Sequence, residues 1–334
     1  MTVSDTSSLS HTRRAKASPL VMLSRYGTFA AFIALLIFNM MVTPHFLSWQ
    51  TFNVNLTQVA TIVIVATGMT LVISTGGIDL SVGSLMAISG ALAPMIFMGD
   101  VFQIDNMALA VGLAFVIPVV VAALLGVFNG LLVTRFSIQP IVATLVLFIA
   151  GRGVAQVMTN GNLQVFKNPS FQFIAMGNLF GIPAQVVLML VITALAYALI
   201  RYTIIGRQIL AVGGNEKAAR LTGIPVRRIK IVVYLISGAL AGIAGLVVVA
   251  RNSASDANLV GMGMELDAIA AVAVGGSLLT GGRANIIGTL MGALVIQLVR
   301  YTLLANGVPD AAALIVKAGL IVIAVFIQQR ADRI

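Results

Sequence analysis

Long apolar segments separated by short polar connections run through most of the 334-residue chain. An apolar segment of roughly 20 residues is long enough for a helix to cross the hydrocarbon core of a bilayer. The stretch 159–183 is polar at first and then mixed, so it is either a loop or a re-entrant segment, and a crossing there would reverse the C-terminal half. The pattern predicts an all-α polytopic bundle of about ten spans, at 27–47, 56–75, 81–98, 107–133, 138–158, 184–202, 231–250, 265–279, 284–304 and 309–328.

The sharpest interruption of an apolar run is the segment "TGGIDLSVGSL" at residues 75–85. Gly76 and Gly77 end one helix, and Asp79, assisted by Ser81, can accept backbone N–H groups at the start of the next helix. Lipid cannot bond such groups, so a broken helix must be buried in protein or face a water-filled cavity. Asp79 is therefore predicted to lie inside the protein, either as a cap alone or as a cap that also lines a translocation path.

A second segment, "TGGRANIIGTLM" at residues 280–291, matches the first one at an offset of 205 positions. Its first residues, Thr280, Gly281 and Gly282, correspond to residues 75–77. Paired glycine-interrupted segments in corresponding halves of a chain point to the repeat interface of a transporter. The alternative is a coincidence of low-complexity sequence. On the predicted spans the two copies run in the same direction.

Composition and charge agree with an integral membrane protein. Hydrophobic residues make up 59% of the chain and charged residues only 9%. With the N terminus inside, fifteen of the twenty lysines and arginines fall on the cytoplasmic side, which fits the positive-inside rule and predicts two cytoplasmic termini. The net charge of +10 is therefore interpreted as an orientation signal. A nucleic-acid surface is not expected, because the basic residues are dispersed among the spans.

The spans divide the chain into three parts. Residues 1–26 are basic and rich in Ser and Thr, which predicts a disordered cytoplasmic tail. Residues 27–329 form the transmembrane domain, and residues 330–334 form a short cytoplasmic end. No small-residue cleavage site follows the first apolar run, so this run is interpreted as an uncleaved span and not as a signal peptide.

Motifs for nucleotide or metal chemistry are missing from the sequence. There is no G-x-x-x-x-G-K-[ST] motif to cradle phosphates, and the histidines, His11 and His45, are not at metal-binding spacing. The chain has no cysteines, which excludes thiolate ligands and thiol catalysis. No catalytic residue, metal or cofactor is expected, and any dependence on ATP must come from another polypeptide.

Polar groups within or beside the spans are the remaining candidates for function, because ionisable side chains in a membrane usually mark pathways or partners. Glu265 lies near the end of a predicted span, where snorkelling or structural pairing is the competing interpretation. The candidates for a translocation path or helix break are Gly76, Gly77, Asp79, Ser81, Asn129, Gln139, Arg152, Gln156, Glu265, Asp267, Thr280, Gly281 and Gly282.

Two other classes of protein compete with this interpretation. A secondary transporter could carry a proton on Asp79 or Asp267, since an intramembrane carboxylate permits that role. A lipid-linked glycosyltransferase is disfavoured, because its metal would require clustered carboxylates and the acidic residues here are scattered.

The polar loop at residues 203–230 contains a predicted amphipathic helix. Asn215 is placed to cap this helix, and Gly223 followed by Pro225 is placed to end it. The helix is either a docking element or an interfacial helix held against anionic lipid by its basic residues.

Six motifs in order resemble the ribose-type permeases of bacterial ABC sugar importers, a group that includes ribose, galactofuranose and xylose permeases. They cover nearly the whole chain, and the likeness to the galactofuranose type is the closer one. The motifs are "GMTLVISTGGIDLSVGSL", "QPIVATL", "GRGVAQ", "GGNEKAARLTGI", "ELDAIAAVAVGGSLLTGG" and "VKAG".

The resemblance implies a type II ABC importer permease in the bacterial inner membrane that translocates a pentose or a hexose. It implies three partners: a cytoplasmic ABC ATPase, a periplasmic sugar-binding protein and a second permease, either a copy or a sister chain. Outer acidic residues such as Asp256 are expected to meet the binding protein. The resemblance also implies that the ATPase-coupling helix is formed by Asn215, Glu216, Lys217, Arg220, Leu221, Gly223 and Ile224.

Overall fold

Most of the apolar segments fold into helices in the computed structural model, which describes residues 19–101, 103–309, 312, 314–316, 318, 319 and 322. The helices are α1 (Pro19–Val42), α2 (Trp49–Ser74), α3 (Val82–Phe97), α4 (Met107–Arg135), α5 (Pro140–Met158), α6 (Pro169–Met176), α7 (Ala184–Tyr202), α8 (Ile204–Gly214), α9 (Glu216–Leu221), α10 (Val226–Asn252), α11 (Met264–Val274) and α12 (Ile286–Ala305).

Six of these helices, namely α2, α4, α5, α7, α10 and α12, are long and apolar enough to cross a membrane. Predicted span 27–47 corresponds to the shorter apolar stretch Gly27–Val42 within α1, and predicted span 81–98 corresponds to the 16-residue α3. Predicted span 265–279 corresponds to the 11-residue α11. α1 begins at Pro19, inside the stretch assigned to the N-terminal tail. Predicted span 309–328 lies largely outside the described residues, as do residues 1–18 and 330–334. The count of ten crossings therefore stays a prediction.

The stretch 159–183 is a connection and not a further crossing. It contains β1 (Gln164–Val165), α6, β2 (Asn178–Leu179) and β3 (Ile182–Pro183). The eight residues of α6 extend for only about 12 Å, which is too short for the hydrocarbon core. β1 pairs antiparallel with β4 (Ala254–Ser255), which follows α10.

α10 lies at the centre of the bundle and contacts α2, α3 and α4. α10 and α4 approach so closely that a Cβ atom added to Gly126 would overlap the carbonyl oxygen of Tyr234. Such contacts between small residues are how apolar helices associate in membranes. α10 starts beside α9 and finishes at the strand pair, and these two extremes are called here the α9 end and the strand end of the bundle.

An aromatic cluster closes the strand end. Phe171 lies between Phe97, Phe115 and Phe166, with ring centroids 5.0–5.7 Å apart. Phe171 is fully buried although it belongs to a short connecting helix. The connection between α5 and α7 is therefore packed onto the helices beneath it.

Candidate translocation site and coupling helix

The two Thr-Gly-Gly segments contact each other inside the bundle. The first junction (residues 75–81) joins α2 to α3, and the second junction (residues 275–285) joins α11 to α12. The N–H of Gly282 donates to the carbonyl oxygen of Ser74 at 3.0 Å. Gly76 and Gly281 have φ angles of 79° and 96°, a region that favours glycine.

The contact between the junctions fixes the relative direction of the helices. α12 runs antiparallel to α2, because Thr70 and Gln58 of α2 bond Thr289 and Gln297 of α12. α12 also runs antiparallel to α11, because Gly288 lies against Gly275 and Gly292 against Ala271, so α2 and α11 are parallel. The predicted common direction of the two segments is therefore confirmed, whereas an internal repeat over the whole chain stays a prediction. Thr70 and Thr289 share a hydrogen bond of 2.9 Å just above the contact, which ties α2 to α12.

Asp79 is completely buried at the first junction and accepts three hydrogen bonds. Its Oδ1 accepts from the backbone N–H and the hydroxyl of Ser81, at 3.1 and 2.6 Å. Its Oδ2 accepts from the hydroxyl of Ser237 at 2.8 Å. The predicted burial is confirmed, but the residue at the N-cap position of α3 is Ser81, and Asp79 stands two residues before it.

Neighbouring helices complete the surroundings of the first junction. Asn129 of α4 is fully buried and donates to the hydroxyl of Ser81 at 2.8 Å. The hydroxyl of Thr144 on α5 accepts from the N–H of Leu80 at 3.1 Å, and Tyr234 of α10 donates to the carbonyl oxygen of residue 78 at 3.4 Å. Three helices therefore hold the junction in place.

The sequence patterns did not identify three residues of this site, namely Ser237, Tyr234 and Thr144. Each is a single polar residue in an apolar run, and such residues commonly bond within their own helix. Thr144 does bond its own helix, through the carbonyl oxygen of Pro140 at 3.0 Å. The isolated position of Ser237 in "LISGALAG" was the available signal.

Arg152 of α5 binds a non-helical segment of the chain. Its guanidinium donates to the carbonyl oxygens of Ala257 and Val260, at 2.8 and 2.6 Å, and to that of Gly83 at 3.4 Å. The amide of Gln156, one turn further along α5, donates to the side-chain oxygen of Asn258 at 2.7 Å. Both candidates thus contact the chain between β4 and α11.

Glu265 and Asp267 are buried in the first turn of α11, with 6% and 7% of their surfaces exposed. The snorkelling interpretation of Glu265 is therefore wrong. One of its carboxylate oxygens, Oε2, is buried and has no hydrogen-bond partner among the described residues.

Gln139 lies apart from the other path candidates. It is exposed at the start of α5 and lines a pocket of about 260 Å³ together with Glu216, Arg220 and Lys230. Gln139 therefore belongs to the surface around α9.

The predicted helix in the polar loop is confirmed as α9. Asn215 is its N-cap residue, and its side-chain oxygen accepts from the N–H of Ala218 at 3.0 Å. Gly223 follows the helix with a φ angle of 83°, the left-handed conformation that ends helices.

Charged residues attach α9 to the start of α10. Glu216 pairs with Lys230 at 2.6 Å and with Arg220 at 3.0 Å. The hydrogen bond from Lys230 lowers the pKa of the Glu216 carboxyl. The Glu216 carboxylate is therefore paired with basic residues of the same chain.

The apolar residues of α9 and its C-terminal turn lie on two sides, one exposed and one packed against the protein. Leu221 is 89% exposed, and Lys217 is exposed beside it on the helix. Ile224 instead packs against the buried cluster that includes Ala219 and Val226. α9 is thus fixed on one side and presents an exposed leucine on the other.

A bundle of apolar helices with two interior breaks that meet, each carrying polar side chains, is the arrangement of a polytopic membrane transport protein. The chain belongs to the family described as "Branched-chain amino acid transport system / permease component", whose model matches residues 52–325.

Several characterised relatives are similar over most of their length. The galactofuranose transporter permease protein YtfT of Escherichia coli (strain K12) is 38% identical over 316 residues, which cover 90% of this chain and 88% of the relative. The ribose import permease protein RbsC of the same strain is 41% identical over 306 residues, covering 89% and 92%. The fructose import permease protein FruF of Bifidobacterium longum (strain NCC 2705) is 41% identical over 257 residues, covering 76% and 70%. No solved structure matches the chain significantly.

Proposed function

We propose that this protein is the permease subunit of an ABC importer that carries a monosaccharide, such as ribose or galactofuranose, across the bacterial inner membrane. The names of the relatives support the substrate class. ATP is hydrolysed by a separate subunit, so the chain itself is not an enzyme. It works with a second permease, either a copy or a sister chain.

The single observation that carries the coupling role is the two-sided character of α9. Glu216 and Ile224 hold the helix to the protein, while Leu221 stands 89% exposed. A lone exposed leucine on a fixed surface helix is suited to fill a pocket of a partner. In the proposed orientation this end is cytoplasmic, as are both termini, and the partner is the ABC ATPase.

The opposite end of the bundle faces the sugar-binding protein in this proposal. Asp256 and Asn258 follow β4 at the strand end, and the side-chain amide of Asn258 donates to Asp256 at 3.0 Å. Exposed polar groups there adjust encounter and orientation more than affinity. We assign Arg152, Gln156, Glu265 and Asp267 to the path and Asp79 to holding the first junction.

The coupling role is tested with Leu221→Asp in the complex reconstituted with its ATPase and binding protein. A charge at the centre of an interface should weaken ATPase binding by roughly 30-fold or more and abolish stimulated ATP hydrolysis. Leu163→Asp is the matched control for ATPase binding, because Leu163 is 56% exposed in the connection at the strand end, away from α9. Normal ATPase binding and sugar uptake by Leu221→Asp would refute the assignment.

The class of transporter and the sugar are tested in the same vesicles. Uptake of labelled ribose, galactofuranose and fructose is compared with ATP present and with all ion gradients dissipated. The proposal predicts uptake of one of these sugars under those conditions. Uptake that requires an ion gradient and ignores ATP would instead support a secondary transporter.

A further inference from the structure

The chain turns back into the bundle after β4. A Cβ atom on Gly90 of α3 would lie 3.7 Å from the hydroxyl of Ser255, whereas one on Gly83 would overlap the carbonyl oxygen of Gly261. Seven residues of α3 separate these two positions, so the chain descends about 10 Å along α3. Residues 256–263 are called here the re-entrant segment. It contains turns but no regular helix.

The re-entrant segment is held from the side by Arg152. The guanidinium bonds two carbonyl oxygens of the segment, those of Ala257 and Val260, and the carbonyl oxygen of Gly83 on α3. Carbonyl groups at membrane depth require such a partner, because lipid offers none. Arg152 thus joins the segment, α3 and α5 through uncharged acceptors.

A charged acceptor lies beside the same glycine. A Cβ atom on Gly83 would come within 2.5 Å of Oε2 of Glu265, and this buried oxygen has no hydrogen-bond partner among the described residues. Arg152 and Glu265 therefore both lie close to Gly83. Ionisable groups inside membranes usually pair with one another, but here the guanidinium is bonded to carbonyls.

The segment also has the means to turn. Gly261 and Gly263 have φ angles of 72° and 73°, a conformation that few other residues adopt readily. Met262, which lies between these glycines, is 73% exposed, and Leu259, which precedes them, is 66% exposed. The segment is thus fixed by one side chain and flanked by glycines at its C-terminal end.

We propose that Arg152 and Glu265 form a two-position clamp that controls the re-entrant segment during transport. In the position described above, Arg152 holds the carbonyl oxygens and keeps the segment against α3. In the second position, the guanidinium pairs with Glu265 and releases the carbonyl oxygens, and the segment turns at Gly261 and Gly263 to change access to the path. This inference rests on the proposed function, because ATP hydrolysis by the partner must drive the exchange.

The test uses the natural absence of cysteine. Met262→Cys places one thiol of the permease on the segment, and its rate of labelling by a membrane-impermeant maleimide is measured in the full complex, with and without ATP and vanadate. We expect the rate to change about tenfold between the two conditions, within the usual range of coupling between sites. Adding Glu265→Gln should reduce this change to less than about twofold, since the carbonyl-bound position stays intact and the second position loses its charge.

Two further variants on the Met262→Cys background sharpen the result. Arg152→Lys should raise labelling without ATP, because an ammonium cannot reproduce the planar fork of the guanidinium. Gln172→Ala is the control, since it removes a 2.6 Å hydrogen bond to Ser253, just before the segment, and should leave the response to ATP unchanged.

The outcomes separate the two proposals. A complex with the unsubstituted permease that takes up no sugar with ATP refutes the proposed function and the clamp with it. A complex that transports sugar but whose labelling ignores ATP, or whose Glu265→Gln form responds like its parent, overturns the clamp alone.

Discussion

Both junctions contain a Thr-Gly-Gly turn, but different side chains stabilise them. At the first junction a fully buried carboxylate, Asp79, accepts three hydrogen bonds from Ser81 and Ser237. At the second junction an exposed amide, Asn285, caps α12 through the N–H of Gly288 at 2.9 Å. One junction is sealed by protein and the other reaches the surface.

The difference shows how burial decides the chemistry of a helix break. The three donors that bond Asp79 belong to the buried residues Ser81 and Ser237, and a buried donor that loses its acceptor is costly. The hydrogen bond between the N–H of Gly288 and the Asn285 amide is exposed, so water can replace the amide oxygen if the side chain is removed. The first junction should therefore tolerate little change, and the second junction should tolerate more.

Removal of the capping side chain gives the largest expected contrast. Asp79→Ala leaves three buried donors without an acceptor and should cost about 3 kcal/mol or more. Asn285→Ala removes an exposed cap and should cost about 1 kcal/mol. The free energy of unfolding in detergent, followed by circular dichroism, gives both values, and equal losses would contradict the comparison.

A glycine contact shared by both junctions gives the next effect. A Cβ atom on Gly213 of α8 would overlap the carbonyl oxygen of Ser74 and lie 2.5 Å from the nitrogen of Gly282. Gly213→Ala should therefore cost about 2 kcal/mol by overpacking. Gly214→Ala is the control, because a Cβ atom there meets nothing within 4 Å. Equal midpoints of thermal unfolding for the two variants would contradict the close contact at Gly213.

The hydroxyl pair that ties α2 to α12 gives a smaller effect. Thr289→Val removes the hydrogen bond to Thr70 with little change in shape and should cost about 1 kcal/mol. Thr193→Val is compared with it, since among the described residues the buried Thr193 hydroxyl bonds only its own helix, at the carbonyl oxygen of Met189. A larger loss of thermal stability in Thr193→Val would count against a link between the junctions.

The smallest effect is a dependence on pH at α9. This helix follows α8, which contacts the second junction through Gly213. The folded pKa of Glu216 is lowered chiefly by Lys230, so its stabilising contribution is present at neutral pH and is lost as the pH falls through the folded value. Because the side chain is 40% exposed, we expect less than about 1 kcal/mol.

The pH effect is measured as the thermal midpoint of the wild type and of Glu216→Gln between neutral pH and about pH 3. The difference between the two proteins should shrink as acid is added. A constant difference would mean that the carboxylate charge does not stabilise α9.

The sequence predicts local features of the fold well and remote contacts poorly. The glycine turns, the burial of Asp79 and the cap at Asn215 follow from short patterns, because each depends on neighbouring residues. The bond between Ser237 and Asp79 joins residues 158 positions apart, and no local pattern reports such a distance. Gln139 was misplaced for the same reason, since only the folded chain brings it beside α9.

The lengths of the interrupted helices have a consequence for synthesis of the protein. α11 has 11 residues and α3 has 16, which correspond to about 17 and 24 Å, so neither reaches across a hydrocarbon core of about 30 Å. Inserted one at a time as the ribosome releases them, they would leave backbone groups in lipid. We expect both to wait at the insertion machinery until α4, α10 and α12 arrive, so that the interior of this permease is assembled last.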